Sequence, residues 1–122
     1  DQNECHVRLD DDLEIIVQLS GDSISKKRMD LLKNILENYE KNIAKAVRQL
    51  KAFDLDIGEH YFLYGIFVGE FNFGSHGQNL FDGYTISLKK EDGNLQDELN
   101  LNIYTVQFKA DTWPLGVSLW FE

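Results

Sequence analysis

The chain has 122 residues, 43% of them apolar and 27% charged, with a formal net charge of −9. That length supports a single domain over 1–122 with its own core, and the balance excludes a disordered chain. The one cysteine, Cys5, excludes an internal disulfide, no apolar run approaches the roughly 18 residues of a membrane span, and the overall acidity argues against nucleic acid as a partner. No secretory signal is recognisable at the start, and a chain that does without disulfides suits a reducing compartment, so the expected location is cytoplasmic.

The first elements read as a hairpin. Val7–Leu9 and Leu13–Leu19 are two strands joined at Asp10, Asp11 and Asp12, with Leu13, Ile15, Val17 and Leu19 alternating onto one face. Gly21 and Asp22 end the second strand. Ser25–Phe53 then reads as one long amphipathic helix. Met29, Leu32, Ile35, Leu36, Tyr39, Ile43, Ala46, Val47, Leu50 and Phe53 share an arc of about 120° at helical spacing. Ser25 is placed to cap the first turn, with Ile24 and Met29 as a staple across it. The length leaves room for a bend near Asn34–Asn38, and Asp54–Gly58 marks the end.

The remainder reads as sheet. Glu59–Phe73 is rich in aromatic and β-branched residues and apolar on both faces, which suits a central strand, with Gly65 and Gly69 marking a bend or close packing. Residues 74–79 form a polar loop and Asp82–Gly83 a further turn. Tyr84–Lys90 alternates cleanly, and Glu91–Asn94 turns the chain. Leu99, Leu101 and Ile103 alternate next. The phase then shifts to Tyr104, Val106 and Phe108, which predicts a bulge or twist near Tyr104–Thr105. Asp111–Pro114 is the last turn, and 115–121 the last strand. The fold class is therefore α+β: a mostly antiparallel sheet of about six strands, with one long helix on one face, in the order β-β-α-β-β-β-β.

No catalytic or metal-binding constellation emerges, so the chain reads as a non-enzyme that needs no cofactor. His6, His60 and His76 are widely separated and lack zinc spacing. Ser75 and His76 are neighbours in sequence, which turns their side chains apart. The glycines do not form a phosphate loop. What stands out is charge. Residues 26–51 carry eight Lys or Arg against three carboxylates, and the rest of the chain carries four against eighteen. The acidic stretches Asp10–Asp12 with Glu14, Asp54, Asp56 and Glu59, and Glu91, Asp92, Asp97 and Glu98 are loop segments or lie at their edges. Asp82 adds a further carboxylate. Phe73, His76, Phe81 and Trp113 are rings available beside them. Clustered at one end of the sheet, these residues would form a partner-binding surface for a cationic protein.

The helix Leu31–Leu50, the strands after it and the ending Trp113-Pro114-Leu115-Gly116-Val117 resemble the layout of small acidic α+β proteins of bacteria of the toxin-immunity type. The resemblance implies an immunity protein of a contact-dependent system, binding and neutralising a basic toxin domain, with a nuclease as the expected class. Two alternatives stand beside it. One is a small hydrolase or metal-dependent enzyme built on the His76 loop. The other is a non-catalytic subunit that self-associates, as a homodimer, through the sheet edge at 115–121.

Overall fold

The computed structural model describes residues 3–8, 13–55, 57–72, 80–90, 103–110 and 114–120. Six strands and two helices follow in the order β1 (Glu4–Arg8), β2 (Glu14–Gln18), α1 (Lys26–Glu37), α2 (Tyr39–Ala52), β3 (Tyr61–Asn72), β4 (Leu80–Lys90), β5 (Ile103–Lys109) and β6 (Pro114–Trp120). The strands form one sheet in sequence order, β1 through β6. α1 lies against β3, and α2 against β5 and β6, all on one face.

The sheet is mixed, not mostly antiparallel. β1 and β2 form the expected hairpin, with Arg8 opposite Glu14, but β2 pairs with β3 in parallel, Glu14 opposite Gly65 and Val17 opposite Val68. The cause is the helical connection between them. It starts where β2 ends, carries the chain back along the sheet, and delivers it to the end from which β2 set out. β3, β4, β5 and β6 then run antiparallel to one another.

The single long helix is also corrected. The helical stretch breaks at Asn38, whose backbone leaves the helical region at φ −114°, ψ 32°, and whose side-chain amide donates to the carbonyl of Asn34 at 3.1 Å. A short polar side chain competes with the helical ladder in this way. The break preserves helical phase. Leu31 and Ile35 of α1 continue into Asn42, Ala46 and Leu50 of α2 as one buried line. That line is an edge of the expected stripe, so Leu36 and Tyr39 remain 42% and 46% exposed, and Phe53, just past the end of α2, is 52% exposed. Ser25 caps α1 as expected, accepting from the Arg28 amide at 3.2 Å.

Between sheet and helices lies the core. Ile15 and Val17, Ile66 and Val68, Tyr84, Ile86 and Leu88, and Val106 and Phe108 face Leu31, Ile35, Ala46 and Leu50. The Tyr84 and Phe108 rings stack at 4.9 Å. Two local expectations fail here. Asp82–Gly83 is no turn but part of β4, because Asp82 reaches the guanidinium of Arg28 and Gly83 passes against the backbone of Phe108, where a side chain would not fit. No register shift occurs at Tyr104–Thr105. The phase change in sequence arises because buried Ile103 and buried Tyr104 occupy opposite faces. The register shifts fall instead between Leu63 and Gly65 in β3 and between Gln107 and Phe108 where β5 meets β6.

Candidate functional site

Strand directions bring the strand ends that bound the acidic segments to one end of the sheet. Arg8 and Glu14 close the β1–β2 hairpin there. β3 enters at the same end with Tyr61, opposite Lys90, where β4 leaves, and Lys89 pairs with Ile103, where β5 begins. The segments that join these ends are 9–13, 53–60 and 91–102. In sequence they carry ten of the chain's 21 carboxylates and no Lys or Arg. Asp54 and Glu59 are exposed on the approach to β3. Asp54 adopts a left-handed backbone at φ 58°, which an Asx side chain tolerates. Asp10, Asp11, Asp12, Asp56, Phe73, His76, Glu91, Asp92, Asp97, Glu98 and Trp113 lie outside the described residues.

Three other expected site residues have definite places. Glu14 projects from the face of the sheet opposite the helices. It meets Arg8 at 3.3 Å and His6 at 3.7 Å, and His6 in turn meets Glu4 at 3.2 Å. Pairs this exposed contribute roughly 0.2–1 kcal/mol each, so they orient Glu14 without committing it. Asp82 and Phe81 lie toward the other end of the sheet, away from Asp54 and Glu59. Asp82 is only 16% exposed and serves as counter-ion to Arg28 at 3.2 Å, with Lys27 at 4.0 Å. Phe81 stacks on Phe71 at 6.2 Å and lies under the Lys109 ammonium at 5.5 Å. The structure therefore groups Asp54 and Glu59 with the strand ends that bound the acidic segments, and separates Phe81 and Asp82 from them.

A feature that periodicity did not expose lies beside this end. The sheet face opposite the helices holds a hollow of about 290 Å³, walled by Ile16, Tyr64, Phe67 and Thr85, with Glu14 at its rim. Gly65, Ile66, Ser87 and Thr105 complete the lining, and the hydroxyls of Ser87 and Thr105 are hydrogen-bonded at 2.8 Å. Tyr64 is the extra residue of the bulge between Leu63 and Gly65, and Lys89 lies over its ring at 5.3 Å. A bulge re-aims a side chain in this manner. The sequence signal was present in the apolar residues on both faces of 59–73, which we read as a central strand.

Comparison with protein families, curated proteins and solved structures gives no significant match. The site therefore rests on its own chemistry. Among the described residues no three of His, Cys, Asp and Glu converge as a bound cation would require. Cys5 is half-buried on β1. The arrangement among the described residues is Glu14 in the lining of a hollow on the open face of the sheet, with exposed Asp54 and Glu59 on the approach to β3. Such a surface can attract a cation-bearing protein and receive one of its apolar side chains.

Proposed function

We propose that this chain is a non-catalytic binding protein that neutralises a cationic toxin domain, an immunity protein of the type its layout resembles. The supporting observation is the shared position of the strand ends at Arg8, Glu14, Tyr61, Lys90 and Ile103, between which the sequence carries ten carboxylates and no Lys or Arg. Carboxylates gathered in this way present the charge that a nuclease site reads on phosphate. They steer a basic partner inward and occupy its substrate groove. The Tyr64 hollow then takes an apolar anchor from the partner. Among the described residues no helix is long and apolar enough to cross a membrane, and the proposed place of action is the cytoplasm.

The test is binding to a cationic toxin domain captured from the source cell, measured between about 0.05 and 0.5 M salt, across which the screening length shrinks several-fold. The expected result is affinity that falls at least tenfold over that range, together with rescue of growth on co-expression. Binding that ignores salt, or a toxin that stays active in the complex, rules the reading out.

A further inference from the structure

The hollow on the open face of the sheet has apolar walls, Ile16, Tyr64 and Phe67, and Glu14 is the one charged side chain in its described lining. At about 290 Å³ it lies at the small end of ligand sites, large enough for one side chain and too small for a folded segment. Glu14 is only half committed to its neighbours. Its Oε2 accepts from Arg8 at 3.3 Å, and the Arg8 side chain is 61% exposed. Its Oε1 stands 3.7 Å from His6 Nδ1, beyond hydrogen-bond length, and among the described residues it accepts no hydrogen bond. His6 meets Glu4 instead, through Nε2 at 3.2 Å. Ser87 and Thr105 bond each other at 2.8 Å, and Lys89 lies over the Tyr64 ring from outside the lining. The polar end of the hollow is therefore one carboxylate oxygen without a donor.

We propose that this hollow receives a lysine side chain of the cationic partner, its methylene stem against Ile16 and Phe67 and its ammonium on Glu14. A stem of this kind buries apolar area while its charged tip stays at the surface. Charge selects the occupant. A neutral apolar side chain would leave the oxygen facing it unpaired, and an acidic one would be repelled by it. The single open oxygen suits the point charge of an ammonium, whereas a guanidinium fork is matched by two. That a protein brings the lysine rests on the proposed function. The preference of the hollow for a cation-tipped apolar stem rests on Glu14 and the walls alone.

The experiment is a titration of the isotope-labelled full chain, followed through its amide resonances, with n-hexylammonium as surrogate for the lysine side chain. The counterparts are n-hexanol, n-hexanoate and n-hexylguanidinium, all at one ionic strength. Hexylammonium is expected to give saturable shifts at Ile16, Phe67, Thr85 and Ser87, with a dissociation constant of about millimolar order. Hexanol and hexylguanidinium should bind roughly threefold more weakly or worse, and hexanoate should not saturate. Glu14→Gln keeps the shape and removes the charge, so it should bring hexylammonium down to the level of hexanol. Glu4→Gln, exposed on β1 and outside the lining, should leave binding unchanged. The comparison of hexylammonium with hexanol on the parent chain needs no variant. Hexanol or hexylguanidinium binding as tightly, shifts that never saturate, full affinity in Glu14→Gln, or an equal loss in Glu4→Gln would each overturn the proposal. With the captured toxin domain, Glu14→Gln should weaken the complex more than Glu4→Gln, and equal losses would overturn the lysine as occupant. The titrations contain no toxin domain, so their failure leaves the salt dependence of partner binding standing, and a partner that ignores salt leaves the titrations as they are.

Discussion

Arg28 is the side chain on which three elements meet. From α1 it donates to the backbone carbonyl of Gln18 at 2.9 Å and to the carboxylate of Asp82 on β4 at 3.2 Å, and its side chain is only 10% exposed. Its Nε is buried with no hydrogen-bond partner among the described residues, so the guanidinium depends on the two bonds it has. Asp82→Asn removes the counter-charge and leaves the cation buried, at an expected cost of about 3 kcal/mol. Arg28→Met with Asp82→Leu removes both charges and should cost about 1 kcal/mol or less. Urea melts of the two single variants and the pair measure the difference, and equal losses for single and double variants would mean that the ion pair is not what holds α1 to β4. Gly83 offers a second local test. A Cβ there would run into the carbonyl oxygen of Phe108 and press on the Phe71 ring at 3.2 Å. Gly83→Ala should therefore cost about 3 kcal/mol through displaced backbone, read as a lower denaturant midpoint.

At the level of helices, the two caps make opposite predictions. Ser25 accepts from the Arg28 amide, so Ser25→Ala should lower stability by about 1 kcal/mol. Asn38 heads α2 yet makes no side-chain cap bond to it, and its amide is spent on the exposed carbonyl of Asn34. Asn38→Ala gains helix propensity of roughly 0.5 kcal/mol and loses one exposed hydrogen bond. Its stability should stay within about 0.5 kcal/mol of the parent. Thermal unfolding of the two variants side by side checks this, and a loss at Asn38 as large as that at Ser25 would show that the break is itself a stabilising cap. The break survives because the buried line through Leu31, Ile35, Asn42, Ala46 and Leu50 lies flat on the sheet on both sides of it.

For the molecule as one body, polarity is the dominant property. The helices carry eight of the twelve Lys and Arg, and the described carboxylates Glu14, Asp54 and Glu59 lie toward the end of the sheet where β2 and β3 begin. Asp54→Lys with Glu59→Lys changes two exposed positions at that end. Partner affinity should fall at least tenfold in low salt, chiefly through slower association. The same reversal made at Asp22 and Asp30, both exposed and away from that end, should change affinity less than threefold. Association kinetics of the four-position set separate a directed patch from general acidity. Equal effects at both places would leave only net charge as the cause.

Much of the local structure was legible in the residues alone. The antiparallel pairing of β1 with β2, the Ser25 cap, the helix end before Asp54 and the strand alternation of Tyr84–Lys90 each follow from short-range chemistry that a linear reading contains. The acidic segments were equally plain as composition. The parallel pairing of β2 with β3 was not, although a helical connection long enough to run back along the sheet implies it. Gly83 read as a turn because its reason is a neighbour, Phe108, that is distant in sequence. Tyr64 read as one more strand residue because a bulge is a property of the pairing and not of the strand. Asp82 looked like surface charge until Arg28 was placed beside it. Sequence by itself thus determined the order of strand and helical stretches, though not the break at Asn38 or the start of β4, and where charge collects along the chain, since those depend on periodicity and composition. Folding in three dimensions assigned which strand ends lie together, that Asp82 is a counter-ion, and which strands form the edges of the described sheet, since those depend on strand direction and register set by contacts between distant residues.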